Sequence, residues 1–498
     1  MELNFGSLFW NESTITELMA ITLPAALKED LTIASPLIYR LILKLGGFPW
    51  CHGLPERDAV LGIEEVEVAL ILLLRRYETS IGSSWFPGID EFEDAERLQE
   101  WTHGLIFECM AVSKRGATGE PTQQHEKSDP DVSYLAQAHS FVSHHNKERV
   151  RESHGKQVRR GPPVIPVSEL PSSQSLAFEG YIPGIELRSL LKILLASLLY
   201  QYGRAAEALA ENMYKLDQIT DIVFGAFRTP GDQKGIGRQA FMHALGTNAP
   251  YIFSAFPRLI APMILDKGLD HQLLESCTRG DAVALILDAF SKPFEPLNWA
   301  PGAILNMHVW SQLSTFLPQN IPLQTASIIA SVSCPGLKLD DIKNAIGSKS
   351  QPMLLLFHGE SQHQQNLEHK DICLGTFIPR AKVDDDLGFD DPQASIFQLS
   401  PAQTVIRAPA GSLQCEGNGS STLSLCIRTQ GTAVASLVLD EKSQSAQIRV
   451  TEPGSSVLTQ SILVRRLDLV GFAADPQWNQ LSWDSAFSIP SSALPGRD

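Results

Sequence analysis

A chain of 498 residues, 43% apolar and 19% charged, has the composition of a soluble globular protein and the length for two or three domains. Its formal net charge of −16 argues against general nucleic-acid binding, because phosphate contacts need a positive field. Seven scattered cysteines, never in C-x-x-C spacing, argue against a disulfide framework or a zinc ribbon and read as thiols of a reducing compartment.

Residues 1–112 read as a helical module. The segment 37–45 ends at Gly46 and Gly47, and Pro49 forbids continuation. Over 61–77, Val66, Leu70, Leu73 and Tyr77 recur at helical spacing, with Glu64, Glu65 and Glu67 in the first turn, where the helix dipole favours acids. A third helix is expected over 98–112. The start of the chain lacks the basic residues and apolar run of a signal peptide, and Glu2 bars N-myristoylation.

Residues 113–175 differ in kind. They are polar and rich in Pro, Gly and Ser, with too little apolar area to offset ordering entropy, and read as a disordered insertion. Within it, His139, His144, His145 and His154 have no cysteine nearby to complete a zinc site and read as solvent-facing imidazoles. The basic residues Lys147, Arg149, Arg151, Lys156, Arg159 and Arg160 lack the interleaved aromatics that base stacking needs. A solvated linker is the expected reading; a nuclear-targeting patch or a contact for an acidic partner is the alternative.

Residues 176–298 are helical again. Leu187, Leu190, Leu191, Leu194, Leu195, Leu198 and Leu199 form an i, i+3, i+4, i+7 stripe. This stretch, 187–202, is the longest apolar one; Arg188 and Lys192 interrupt it and it is too short to span a bilayer, so membrane contact is expected only through a partner. Two places have the hydrophobic spacing of an EF-hand. With Ile236 at loop position 8, positions 1, 3, 5 and 12 fall on Thr229, Gly231, Gln233 and Ala240, and Ala240 cannot supply the bidentate acid that calcium needs. With Ile63 there, positions 1, 3, 5, 9 and 12 fall on Glu56, Asp58, Val60, Glu64 and Glu67, but Leu61 stands where the turn needs glycine. A degenerate, EF-hand-like module kept for packing is expected, without metal.

Residues 299–475 begin with a helix over 304–316. Short apolar runs follow at 353–357, 373–377, 394–399, 424–427, 435–439 and 462–472, separated by Gly, Pro, Asp and Ser clusters, which is the pattern of an antiparallel β-sandwich. The last run is expected to be buried on both faces at one end and exposed at the other. Asp384, Asp385 and Asp386, with Asp390 and Asp391, bracket Gly388 in a loop; a solvated loop, and a docking place for a basic partner, is the reading. The tail 476–498 carries Trp478 and Trp483 and reads as a short docking segment. No G-x-S-x-G, phosphate-binding loop or H-E-x-x-H pattern occurs. Cys373 near His358 or His369 is the one imaginable thiol–imidazole pair, and a core cysteine is the blander reading.

The β-rich segments also carry a resemblance. LGTFIP (374–379), ASIFQLSP (394–401), SLVLD (436–440) and ILVRRLDLVGF (462–472) resemble, in order and spacing, strands of the TLDc domain. Where that family's closing strand ends in E-V-W-G, this chain has Asp468, Leu469, Val470 and Gly471. In the helical half, LILKLGGFPW with LGIEEVEVALILLLRRYETS, and the stretch 234–265, resemble the fungal restriction of telomere capping protein five family, a subset of TLDc proteins.

The resemblance implies an α+β protein: a helical N-terminal module, then a TLDc-type β-sandwich flanked by helices. It implies a non-enzymatic regulatory or interaction protein, without cofactor, cytoplasmic or at the vacuole surface. Associated roles in the family are telomere capping, oxidation resistance and regulation of the assembly of the vacuolar proton-pumping ATPase, whose subunits are the implied partners. Asp384, Asp385, Asp386, Asp468 and Gly471 are the candidate interaction residues. An oxidative-stress-related enzyme of unknown chemistry and an indirect nucleic-acid-linked scaffold stay open as alternatives.

Overall fold

The computed structural model describes residues 11–46, 69, 73, 95–113, 180–199, 212–229, 235–256, 259, 302–318, 326–334, 338–348, 352–362, 371–379, 394–408, 413–416, 421–429, 432–451 and 458–472. The chain divides into two compact units, Met1–Pro293 and Phe294–Asp498.

The first unit is helical. Its elements are α1 (Glu12–Thr22), α2 (Lys28–Gly46), α3 (Ala95–Met110), α4 (Gly184–Leu199), α5 (Met213–Gly225) and α6 (Arg238–His243). Asn11 caps α1 by accepting a hydrogen bond from the Thr14 amide at 2.9 Å, which satisfies one of the amides a helix start leaves open. Helix α2 packs on both α3 and α4, so the helical segments on either side of 114–179 share one core. The expected leucine stripe is the reason: Leu187, Leu190, Leu191, Leu194 and Leu195 are all buried, as are Leu37, Ile38, Leu41, Ile42 and Leu45 of α2. Ala69 and Leu73 are helical and buried; the rest of the helix expected over 61–77 lies outside the described residues.

Two helix pairs, α3 with α4 and α5 with α6, form two motifs that stand side by side in this unit. Strand β1 (Val112–Ser113) follows α3 and pairs with β2 (Gly180–Tyr181), which leads into α4. The next residue, Ile182, exchanges both backbone hydrogen bonds with Ile236, at 3.0 and 2.9 Å. Helix α3 packs on α6, and α4 on α5, so each motif's helices pack against the other's. Phe241 of α6 sits between Phe107 and Phe227, with ring centroids 5.7 Å from each.

The second unit is a sheet with two described helices, α7 (Met307–Ser314) and α8 (Leu339–Ser348). Its strands are β3 (Ala326–Ser333), β4 (Met353–Ser361), β5 (Asp371–Ile378), β6 (Ala394–Ser400), β7 (Thr404–Ala408), β8 (Leu413–Glu416), β9 (Thr422–Thr429), β10 (Thr432–Asp440), β11 (Ser445–Val450) and β12 (Leu458–Phe472). All pairings are antiparallel, in the order β7-β6-β5-β4-β12-β11-β10-β9-β8, with β3 joined to β12.

The expected sandwich of stacked sheets is thus one continuous sheet folded over on itself. The cause is β12. Its first half pairs with β11 and its second half with β3 along the same edge, while β4 runs along the other, so one strand serves both layers. Between the layers lie Leu355, Phe357, Leu374 and Ile396 from one side and Leu425, Leu437, Leu439 and Ile448 from the other. The opposite face of β4, β5, β6 and β12 is covered by α7. Trp310 stacks on Phe472 with centroids 6.4 Å apart, and Phe316 meets Phe397 at 5.0 Å. That second cover explains why β12 is wholly buried from Leu467 to Phe472, whereas Leu463 and Arg465 are exposed nearer its start.

Candidate functional site

The helix-facing side of the sheet holds Asp468, one of the acids that the sequence singled out. Asp468 lies in β12 between β4 and β3, opposite Leu356 and Ser331. Its side chain is fully buried. One carboxylate oxygen accepts hydrogen bonds from the amides of Ile304 and Leu305, at 2.6 and 3.1 Å. The other accepts from the Ser331 hydroxyl at 2.5 Å and from Arg466 Nε at 3.3 Å. Arg466 also donates to Ser331 through Nε and Nη2, at 3.0 and 2.8 Å. Gly302, at φ 75°, passes against this guanidinium; a Cβ there would stand 3.0 Å from Nη1.

These contacts fasten the segment ahead of α7 to the sheet. Asn306 then caps α7 by accepting from the amides of His308 and Val309, at 3.0 and 3.1 Å. At the other end of the helix, Gln312 donates to the Leu399 carbonyl at 2.8 Å and to Gln403 Oε1 at 3.0 Å, and Gln403 donates to Thr315 at 3.1 Å. The helix is therefore held at both ends by buried polar groups, which rigidify only because each is satisfied.

Asp468, a candidate for contact with a partner, has no exposed surface to offer one in this arrangement. Gly471 is buried three residues on, paired with Met353 and Ser327, and the side chain of Ile329 lies over its bare Cα. Asp384, Asp385 and Asp386 lie outside the described residues, as do Asp390 and Asp391, the histidines and basic residues of 139–160, and the tail 476–498.

Cys373 and His358 are direct cross-strand neighbours, on β5 and β4. His358 is turned toward Asp371, 3.7 Å from its carboxylate. Burial, and then the negative charge of Asp468, push the Cys373 thiol up to about 12. Such a thiol stays protonated at neutral pH, and the thiolate is the nucleophile, so this neighbourhood is a poor setting for thiol chemistry. His369 lies outside the described residues.

In the helical unit, Lys192 is buried between Asp30 of α2 and Asp217 of α5, at 2.9 and 2.8 Å. Burial alone would lower the pKa of its ammonium; the hydrogen bonds to Asp217 and Asp30 outweigh it and raise the pKa. Arg188 pairs with Asp221 at 2.6 Å, which raises its pKa further. Arg40 of α2 pairs with Glu186 of α4 at 2.9 Å. Of the expected loop positions around Ile236, Thr229 is exposed ahead of the bridge and Ala240 lies in α6, while Gly231 and Gln233 are outside the described residues. Among the described residues, no group of three or more His, Cys, Asp or Glu is placed to hold a metal ion, and no helix is long and apolar enough to cross a membrane.

Sequence reasoning missed Ser331, Arg40 and Glu186, and did not name Arg466 as a site residue. Arg466 and Asp468 sit two apart on a strand, which puts them on one face, and that spacing was the available signal. Glu186 and Arg40 stand 146 residues apart, a pairing that no local pattern shows.

No protein-family model matches the chain. The chain is similar over most of its length to fungal proteins named "Restriction of telomere capping protein 5". That of Colletotrichum graminicola is 22% identical over 373 residues, covering 71% of this chain and 57% of the relative. That of Neosartorya fischeri is 21% identical over 457 residues, covering 82% and 67%. That of Neurospora crassa is 20% identical over 437 residues, covering 81% and 68%. The chain thus spans between 57% and 68% of the length of these three relatives.

Proposed function

We propose that this chain is a non-catalytic regulatory protein of the TLDc type that works by binding a protein partner. The observation that carries the reading is how the polar groups of the sheet unit are used. Both Asp468 oxygens are committed to Ile304, Leu305, Ser331 and Arg466, and the Cys373 thiol beside them is held protonated. Charge used in this way fixes a helix on a sheet and leaves the outer surface as the working part.

The named relatives support a role that influences telomere capping. With a net charge of −16, that influence is indirect rather than through a nucleic-acid contact. The partner implied by the TLDc resemblance is the peripheral part of the vacuolar proton-pumping ATPase, met in the cytoplasm at the vacuole surface, with the chain acting on its assembly. The acidic stretch Asp384, Asp385 and Asp386 is the docking place for basic residues of that partner. The two helix–loop–helix motifs of the helical unit are an EF-hand-like pair kept for packing; support comes from the two-way bridge between Ile182 and Ile236 and from Ala240 at the place of the acidic ligand.

The competing reading is an enzyme acting through Cys373 and His358. It requires a thiolate near neutral pH, which burial and Asp468 oppose. Direct binding of the purified full-length chain to purified peripheral ATPase subunits tests the proposal. A complex weakened by replacing the three aspartates with asparagine supports it. No complex, or one indifferent to those residues, sinks the partner or the docking place respectively.

A further inference from the structure

The first helix–loop–helix motif contains a cation of its own. With Ile182 at position 8 of an EF-hand-type loop, Gly180 falls on position 6, where such loops need glycine, and Glu186 on position 12, where they carry the bidentate acid. Counting back puts Ser175, Ala177 and Glu179 at positions 1, 3 and 5, so of these three ligand places only the last carries a carboxylate. The sequence therefore keeps the glycine, the bridging isoleucine and the closing acid, while positions 1 and 3 lack carboxylates.

In a calcium loop the ion draws the end of the entering helix toward the acid on the first turn of the exiting helix. Here that place in the hydrogen-bonding scheme belongs to Arg40. Its Nη2 donates to Glu186 Oε2 at 2.9 Å and reaches the carbonyl of Met110, the last residue of α3, at 3.4 Å. One guanidinium thus touches both helices of the motif. It is delivered by α2, which packs against α3 and α4 together. The pair is only partly open to water, with side-chain exposures of 15% for Arg40 and 21% for Glu186.

We infer that the guanidinium of Arg40 does in this motif what a calcium ion does in an EF-hand, so that the helix pair is held in one arrangement without metal. The inference rests on the EF-hand-like reading of the helical unit. It gives α2 a definite role, since the helix occupies the ground between α3 and α4 and brings the charge that fixes them. Both bonds leave the one nitrogen Nη2, and a guanidinium, unlike an ammonium, keeps its charge even in alkali.

Hydrogen exchange of the full-length chain, read on the peptides containing Ile182 and Ile236, tests this with and without calcium up to about 1 mM, the weak end of calcium loops. Equal protection of both peptides in calcium and in chelator is expected for the natural sequence. Arg40→Met should speed exchange at both peptides about tenfold, as for an ion pair that keeps some solvent contact. Glu186→Gln should do the same, and the double substitution should add little. Arg40→Lys, which keeps a charge but loses the fork, should fall between. Slower exchange on adding calcium, or no change in Arg40→Met, would overturn the role of Arg40. If the two peptides are not protected together in the natural sequence, the EF-hand-like pairing fails instead.

Discussion

The Asp468 carboxylate stands 2.6 Å from the backbone amide of Ile304, a residue 164 positions earlier in the chain. This contact joins the last strand of the sheet to the segment that launches α7. It is made by a fully buried charge, so its removal is felt beyond one hydrogen bond. Asp468→Ala strands two amides and a guanidinium, at a cost of about 3 kcal/mol. Asp468→Asn keeps one acceptor and should cost less. Urea unfolding of the two variants, followed through near-ultraviolet signals from Trp310, measures both.

Gly359 faces the irregularity in β12. A Cβ on it would stand 2.1 Å from the Leu463 carbonyl oxygen, which is backbone and cannot swing aside. Gly359→Ala should therefore force β4 and β12 apart and lower stability by about 2–3 kcal/mol. Thermal unfolding checks this.

The Cys373 thiol, pushed from its ordinary 9.0 up to about 12, should resist alkylation at pH 8 in the folded protein. Mass-spectrometric mapping should find it modified only after denaturant is added. The same shift has a consequence for stability. The unfolded chain gives up this proton at lower pH than the folded one, so the thiol's contribution is intact below about pH 9 and is lost as pH climbs toward 12. Rapid alkylation in the native state would contradict the buried, protonated thiol and revive the enzyme reading.

Lys192 separates the carboxylates of Asp30 and Asp217. Lys192→Met leaves them facing each other and should destabilise the helical unit by about 3 kcal/mol. The ammonium pKa is raised on folding above its ordinary 10.5. Its stabilisation is thus fully present below that value and fades as pH rises through the folded pKa. The gap in melting temperature between the natural sequence and Lys192→Met should be constant near neutrality and close in strong alkali.

What the sequence reveals of this fold follows the period of its apolar residues. The leucine stripe of α4 and the runs that became β4, β5, β6, β9, β10 and β12 are visible because burial repeats at regular spacing. Strands β3 and β11 escape that reading, since their apolar residues are small or thinly spaced and one face of each stays partly open. The doubling of the sheet is invisible for a different reason: it depends on β12 serving two neighbours on one edge, a fact of pairing rather than of pattern. Asp468 looks like a surface acid because two of its partners are backbone amides, which carry no sequence signal. Glu186 goes unrecognised because its partner Arg40 lies 146 residues away, a separation that carries no sequence signal.

The central claim is that this chain acts by binding a protein through its exterior. Sedimentation of the purified full-length chain with purified peripheral subunits of a vacuolar proton-pumping ATPase tests it most directly. The predicted result is a complex that Asp384, Asp385 and Asp386 strengthen and that Cys373→Ser leaves intact. Failure to associate, together with a catalytic turnover abolished by Cys373→Ser, would contradict it.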